Sequence, residues 1–567
     1  MKRVLILSEN DDCADPSRLP LSDYDSVALA FWSSPEFVER VKRAGAKECW
    51  RLNDFVPDYA ALVCRAYFVG HAVAERAPQY RGVNPLQAWE NTLANALLTP
   101  LIAAQILNGL RERQPDLGEI CFLSQSDTQR AFEIVSQNSF PSPRLRVLNE
   151  REATKRHHAN GRLGAWLLLA REAQRDRDWA QVAWVPVEVL DRRYVWRQRL
   201  WRHSSFSRGG IFFYSSYVNY SRTLAKHAAH FDSLPQWIVN NHSARLGLPN
   251  GARWHHLWQF GAGIRDTATF LQVLRAAVNQ SPERADGLPL RAILQSNAEV
   301  QEVLFRTLPL VLAEIDLMDA AIQELQPDSV WVANQWGSEG ALIQAARYRR
   351  IPVTQVQHGA LEQYYDCAPI YSDRLLVWGE FWKRAVNGAE QSKVQVVNPG
   401  FEVSAKAVRS NRGESMPRVT FFTAPANVVL FWNPSVVLWE TVALLDELTT
   451  RRHSMTVRVH PADQIDKYRQ AWIKHCGRLP DGVSFEKGGS LEPVLAKTDV
   501  ALMAFSTVFL NCLASGIPVV GLGWYPFMWQ AQLQEGGYIR FANSLGKVKC
   551  LTDLPPSPAS NWEHLIE

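Results

Sequence analysis

Short apolar runs separated by helix-length stretches recur from the first residues of the chain to nearly its last. Val4–Leu7, Val27–Phe31 and Ile120–Leu123 are such runs, and Pro35–Ala44 and Asp127–Gln137 have helical character. A strand that is apolar along its whole length is buried on both faces, and helices on both sides of a parallel sheet bury it so. Successive parallel strands need a right-handed crossover, which the intervening helices supply. The expectation is an α/β protein with doubly wound parallel sheets, beginning at the first residues.

At 567 residues the chain exceeds the roughly 250–300 residues that one hydrophobic core serves, so two or more domains are expected. Hydrophobic residues make up 47% and charged residues 21%, the balance of an ordinary folded protein. A formal charge of +4 is too small to argue for a nucleic-acid partner. The eight cysteines are scattered with no Cys-x-x-Cys, which indicates neither a zinc site nor a disulfide framework and fits a reducing, cytoplasmic compartment. The opening apolar run is too short for a signal-peptide core. The long apolar stretch Leu93–Leu110 is broken by Asn95, Thr99, Pro100, Gln105 and Asn108, which suits a packed helix better than a membrane span.

The pattern loosens between about 150 and 260. Within it, Arg192–Arg222 crowds Trp196, Trp201, Phe212, Phe213, Tyr214, Tyr217 and Tyr220 among arginines. Aromatic and basic side chains suit sugar stacking or an anionic membrane surface, and equally an amphipathic helix inside the core. Order returns with a strand in Pro327–Asn334, a helix over Gly340–Arg349 and a strand from Ile351 into the exit loop Gln357-His358-Gly359. This succession places the loops after Ala333 and Val356 at one sheet edge. A second system follows, with strands Val419–Phe422, Thr456–Val459, Val500–Ala504 and Pro518–Leu522 and helices near Ser435–Leu448 and Phe509–Ala514. The expected division is an N-terminal Rossmann-like lobe over 1–400, with an aromatic and basic insertion at about 150–260, and a C-terminal Rossmann-like lobe over 401–567.

The chemistry belongs at strand ends. In Thr456–Val459 alternate residues share a face, so Arg458 and His460 point together and Pro461 ends the strand. A cation and an imidazole at a crevice make a phosphate contact, although a lone His-Pro is more often structural. Ser506 and Thr507 begin the next helix, where hydroxyls and free N–H groups hold an anion or simply cap.

Val457-Arg-Val-His-Pro461, Phe505-Ser-Thr507 and Ala514-Ser-Gly-Ile-Pro-Val519 resemble the donor half of GT-B glycosyltransferases. They are similar above all to the cytidine-nucleotide-dependent sialyl, Kdo and glycerol-phosphate transferases of bacterial surface polysaccharide synthesis. The resemblance implies two Rossmann-like lobes facing a central cleft, with His460, Ser506 and Thr507 on the donor phosphate and Arg458 beside them. The pair of acidic residues followed by glycine that opens the family pattern has no clear match. Val356-Gln-His-Gly359 with Ser372–Trp382 and Val396-Val-Asn-Pro-Gly400 is similar to the hinge-side end of the other lobe. It adds Gly359 and Asn398 to the donor side, although those proteins read Gly-Asn-Pro. Gly209–Ser216 is similar to surface-carbohydrate biosynthesis proteins.

Glycosyl transfer needs a base for the acceptor hydroxyl and a stabilised leaving phosphate. His358 and Glu339 are the candidates for the base, the latter equally readable as a helix-start carboxylate; Asp366, Glu9, Asp11 and Asp12 are lesser ones. There is no Asp-x-Asp at a strand end, no His/Cys cluster with ligand spacing and no P-loop, so neither metal nor other cofactor is expected beyond the nucleotide-sugar co-substrate. The expected partners are a nucleotide-sugar donor, CMP-linked, and a lipid-linked or polysaccharide acceptor such as lipopolysaccharide, O-antigen or capsule. An anionic inner-membrane surface is a further expected partner. The alternatives are a CDP-linked glycerol- or ribitol-phosphate transferase, a UDP-sugar 2-epimerase and a non-catalytic glycan-binding protein.

Overall fold

The computed structural model describes residues 2–7, 16–29, 33–137, 142–149, 207–228, 230–240, 242–260, 267–359, 361, 369–397, 417–424, 434–450, 454–460, 464–503, 506–523, 530–542, 547–548 and 565. Within them lie three sheets, parallel throughout. The first contains β1 (Lys2–Ile6), β2 (Ser26–Leu29), β3 (Cys49–Arg51), β4 (Leu117–Ser124) and β5 (Arg144–Asn149), in the order β3-β2-β1-β4-β5. The second contains β6 (Ile211–Ser215), β7 (Gln236–Val239), β8 (Trp254–His256), β9 (Ser329–Val332), β10 (Val353–Val356), β11 (Arg374–Val377) and β12 (Val394–Val396), in the order β12-β11-β10-β9-β6-β7-β8. The third contains β13 (Val419–Phe422), β14 (Met455–Val459), β15 (Val483–Lys487), β16 (Val500–Met503), β17 (Val519–Leu522) and β18 (Arg540–Ala542), in the order β15-β14-β13-β16-β17-β18. The protein is α/β, as the alternation of apolar runs and helices predicts.

In each sheet the chain starts near the middle, runs outward to one edge, and returns to continue on the other side of its first strand. The order therefore reverses between β1 and β4, between β6 and β9, and between β13 and β16. At such a reversal the flanking connections leave on opposite faces, which opens a crevice at the carboxyl ends of the two strands.

By internal contacts the chain forms two compact units, one of residues 1–60, 102–152 and 401–565 and the other of 61–101, 153–400 and 566–567. The first unit holds the first and third sheets, and the second holds the seven-stranded sheet. Residues 1–400 therefore do not form one lobe around one sheet. Their strands divide between two sheets, because β1–β5 already close a doubly wound set before β6 begins another. The region of about 150–260 is not an insertion where it is described. Phe212, Phe213 and Tyr214 are fully buried in β6, the interior strand that starts the second sheet, Tyr217 immediately precedes the helix Val218–Ala228, and Tyr220 lies in its first turn. The aromatic crowding there belongs to a strand core. Arg192–Phe206 lies outside the described residues.

Each sheet is buried for the reason the apolar runs suggest. Leu5, Val27 and Cys121 pack with Phe37 and Val41 of the helix Pro35–Arg43. Phe213, Trp237, Val356 and Leu376 pack around the second sheet. Phe421, Val457, Val459 and Leu502 pack with Trp472 of the helix Ile465–Cys476. Within the first unit Arg40 stacks on the Trp439 ring, 3.2 Å from its centroid, and pairs with Glu440 at 2.7 Å. The helix Glu90–Arg113, with the turn before it, is the one helix among the described residues long and apolar enough to cross a membrane. In its most apolar window 72% is buried within the protein.

Candidate functional site

The third sheet reverses between β13 and β16, so the residues just past Phe422 and Met503 flank its crevice. Thr423 follows β13, is buried, and its Oγ1 accepts a hydrogen bond of 2.9 Å from the His460 N–H at the end of β14. This bond fixes where the chain leaves β14 and leaves the half-buried imidazole at the carboxyl edge. The alternation expected in β14 is present: Val457 and Val459 are buried while Thr456 and Arg458 are half-buried. Arg458 does not stay with His460. Its Nη2 donates to the Gly489 carbonyl at 3.2 Å and its Nη1 lies 3.9 Å from Glu486, its partner in register on β15. The guanidinium is directed sideways across the sheet because a carboxylate faces it there.

Past β16, Ser506 and Thr507 precede the helix Val508–Ala514. The Ser506 Oγ accepts from Val508 N at 3.3 Å, and the Thr507 side chain makes no capping bond and is exposed. That helix ends on Gly516 at φ +66°, with Gly516 N donating to Leu513 O and Ile517 N to Cys512 O. The left-handed residue that such a C-terminal turn requires is what the Gly516-Ile-Pro sequence provides. The crevice thus carries Thr423, His460, Ser506 and Thr507 on three strand ends.

The second sheet reverses between β6 and β9 and has a more buried arrangement. Glu339, in the first turn of the helix Gly337–Tyr348, is 1% exposed. Its Oε1 accepts from Ser216 N and its Oε2 from Ser216 Oγ, both at 2.8 Å. The helix starts three residues before the expected Gly340, and this early start carries Glu339 back over the end of β6. Burial pushes the carboxyl up to about 7, with the Ser216 bonds acting against it. Beside it Ser338 Oγ donates to Glu314 at 2.8 Å and lies 3.3 Å from Asn240 Nδ2, which donates to it. Glu314 is half-buried; desolvation raises it to about 7, Ser338 opposes this, and the Glu339 charge adds to it. Tyr214, buried at the end of β6, is held well above its usual range by desolvation and then by the two carboxylates.

His358 stands at the carboxyl end of β10, next to β9. Gln357 sets its exit: the Gln357 Oε1 accepts from Trp378 N at 2.9 Å, its carbonyl from Trp378 Nε1 at 3.0 Å, and its Nε2 donates to the Gly359 carbonyl at 2.8 Å. The imidazole meets the Tyr220 ring edge to face at 4.6 Å, and Asn334, past β9, donates to the Tyr220 hydroxyl at 3.0 Å. His358 is exposed, so water screens part of the lowering of its pKa that the surrounding protein imposes.

The structure therefore brings His358, Glu339, Asn334 and Ser216 to one edge of one sheet, and His460, Ser506 and Thr507 to one edge of another. Gly359 belongs to the His358 exit loop. Asn398, Asp366, Glu9, Asp11 and Asp12 lie outside the described residues. Sequence reasoning missed Ser216, Glu314, Ser338 and Thr423. Ser216 and Thr423 had a usable signal, each being a hydroxyl residue just past the first strand of its sheet. Glu314 had none, since it sits within the helix Leu308–Leu325. No group of three or more His, Cys, Asp or Glu among the described residues could hold a metal ion.

Neither a family model nor a curated protein matches the chain. Among solved structures it is similar to UDP-GlcNAc 2-epimerase from Methanocaldococcus jannaschii in complex with UDP-GlcNAc and UDP, at 12% identity and TM-score 0.41, over 63% of this chain and 97% of that one. It is similar to UDP-GlcNAc 2-epimerase from Neisseria meningitidis bound to UDP-GlcNAc, at 11% identity and TM-score 0.40, over 63% and 94%. It is also similar to a glycosyltransferase from Rickettsia africae, at 10% identity and TM-score 0.37, over 64% and 94%.

Proposed function

We propose that the protein is a nucleotide-sugar-processing enzyme of the GT-B kind that binds the nucleotide diphosphate or monophosphate at the reversal of its third sheet. The observation that carries this reading is the convergence of Thr423, His460, Ser506 and Thr507 on the carboxyl ends of β13, β14 and β16. Hydroxyls, an imidazole and backbone N–H groups at such a crevice suit a phosphate. Arg458 is left out of the contact, since Glu486 and Gly489 engage it. In the leading form the donor is CMP-linked and the sugar passes to a surface-glycan acceptor, with His358 as the base because its imidazole is exposed at a strand end. Glu339, with both oxygens on Ser216, then acts as a positioning residue.

The second reading, a UDP-sugar 2-epimerase, is favoured by the neighbouring carboxyls Glu314 and Glu339, both raised to about 7. Groups that titrate near neutrality can take a proton and return one without any acceptor. Calorimetric titration with CMP, CDP and UDP, followed by His460→Ala, tests the nucleotide site. Loss of one hydrogen bond to a charged group costs about 1.5–3 kcal/mol, so binding is expected to weaken by roughly 10- to 100-fold. Unchanged affinity in the variant overturns the assignment. Conversion of a UDP-sugar without an acceptor decides for the epimerase.

A further inference from the structure

One edge of the second sheet is built from residues 218–256: the helix Val218–Ala228, β7, the short helix His242–Arg245 and the edge strand β8. Its charge is one-sided. Arg222, Lys226, Arg245 and Arg253 stand against Asp232 alone, four cations to one anion, so this stretch carries +3 of the whole chain's +4. All five are exposed, and among the described residues no carboxylate pairs with Arg222, Arg245 or Arg253. The same edge leaves apolar surface in water. Three of the seven large apolar side chains exposed among the described residues are here, Leu234 at 80%, Leu246 at 64% and Trp254 at 36%.

Packing draws these side chains together. The Arg245 guanidinium lies over the Trp254 ring, 5.4 Å from its centroid, and Arg253 precedes Trp254 in the chain. Trp254 stands opposite Trp237 in register, and Trp237 N donates to the Arg253 carbonyl at 2.9 Å. Leu234 comes just before Trp237, at the same end of the strand pair. Gly247 abuts the helix Val218–Ala228, since a Cβ on it would stand 2.4 Å from Val218 O and 3.3 Å from Arg222 N. Leu246 is thus held between Arg245 and the turn that carries Arg222. Leucine and tryptophan side chains ringed by guanidinium groups match a partner that is apolar beneath an anionic surface, the headgroup region of a bilayer. Tryptophan suits that level because its ring is apolar and its N–H polar, and arginine stems lie along apolar surface while their heads reach phosphate. A nucleic acid would match the arginines and leave Leu234 and Leu246 in water.

We propose that this edge docks on an anionic lipid bilayer, with Leu234, Leu246 and Trp254 entering the headgroup level and Arg222, Arg245 and Arg253 on the lipid phosphates. The surface is distinct from the nucleotide crevice of the third sheet, so the proposal survives failure of that reading. The test is flotation of the full chain with vesicles of phosphatidylcholine alone, and of phosphatidylcholine with phosphatidylglycerol in about 2:1 proportion. A cationic side chain at an anionic surface contributes roughly fivefold in affinity, so the anionic vesicles are expected to bind at least about tenfold more tightly. Raising the salt from about 0.05 M to about 0.3 M should weaken that binding. Arg245→Glu combined with Arg253→Glu should weaken it about tenfold or more, and Leu234→Ser combined with Leu246→Ser should weaken it with the charge unchanged. Arg384→Glu, an exposed position on the helix Glu380–Arg384 beside β11 and β12 at the other edge of the sheet, should leave most of the binding in place. Equal binding to neutral vesicles overturns the proposal, as does parental binding by either double variant with its melting temperature intact. So does an equal loss in Arg384→Glu, or failure of the folded protein to float with anionic vesicles, in which case an acidic partner protein becomes the occupant to pursue.

Discussion

Glu339 shows how one side chain is set by a residue 123 positions away in the chain. Its carboxyl is buried and titrates near 7, while in the unfolded chain it titrates near its ordinary value of about 4.5. Between those two values the folded protein holds a proton that the unfolded chain has released, so stability falls as pH rises through this window. Below it the penalty is absent, and above it complete. At about 1.4 kcal/mol per pKa unit the penalty is at most roughly 3 kcal/mol. Glu339→Gln keeps an acceptor for Ser216 N and removes the charge. The variant is expected to gain stability relative to the parent by about 1–3 kcal/mol on going from pH 5 to pH 8, read by urea denaturation at both. Parallel curves would show that the carboxyl does not hold a proton across this range. His460, by contrast, was legible as a residue: alternation along Thr456–Val459 and the proline after it place it at a strand end, and it is there.

At the scale of elements, the helix Gly337–Tyr348 decides the geometry of the second sheet's edge, because it carries both Ser338 and Glu339. Its position depends on a close backbone approach. A Cβ on Gly340 would stand 2.6 Å from Gln335 O, 2.8 Å from Ala88 Cα and 2.9 Å from Ala88 O. These are main-chain atoms that cannot swing aside. Gly340→Ala is therefore expected to destabilise the protein by about 1–3 kcal/mol or more and to displace Glu339 from Ser216. Denaturation measures the first effect; loss of the pH-dependent stability described above reports the second. A neutral Gly340→Ala would mean that the helix tolerates a shift. The helix was foreseen but its start was not, since Gly337-Ser-Glu gives no strong capping signal and the turn is set by packing on Pro85–Trp89. Four of the six strands of the third sheet, β13, β14, β16 and β17, were foreseen almost to the residue from short runs rich in apolar residues, whereas the edge strands β15 and β18 were not.

At the scale of the whole molecule, three sheets share one plan, and two of their reversals collect polar side chains. If the nucleotide binds in the first unit, saturation at 100 times Kd stabilises that unit by about 2.7 kcal/mol. Amide exchange of β13, β14 and β16 should then slow by up to roughly 100-fold, measured by mass spectrometry with and without nucleotide. Protection confined to β6, β9 and β10 would transfer the nucleotide site to the other unit. The sequence by itself determined the class of fold, because period and length of apolar runs are local properties that a parallel sheet must satisfy. It also determined His460, Ser506, Thr507 and His358 as strand-end residues, for the same local reason. Only the tertiary structure decided that residues 1–400 build two sheets, that the aromatics of 212–214 belong to an interior strand and that Arg458 turns to Glu486. Only it decided that Glu314, Glu339 and Ser216 meet. Those outcomes depend on which strand lies beside which, and strand order is chosen by crossovers and packing between segments a hundred residues or more apart, which no local pattern records.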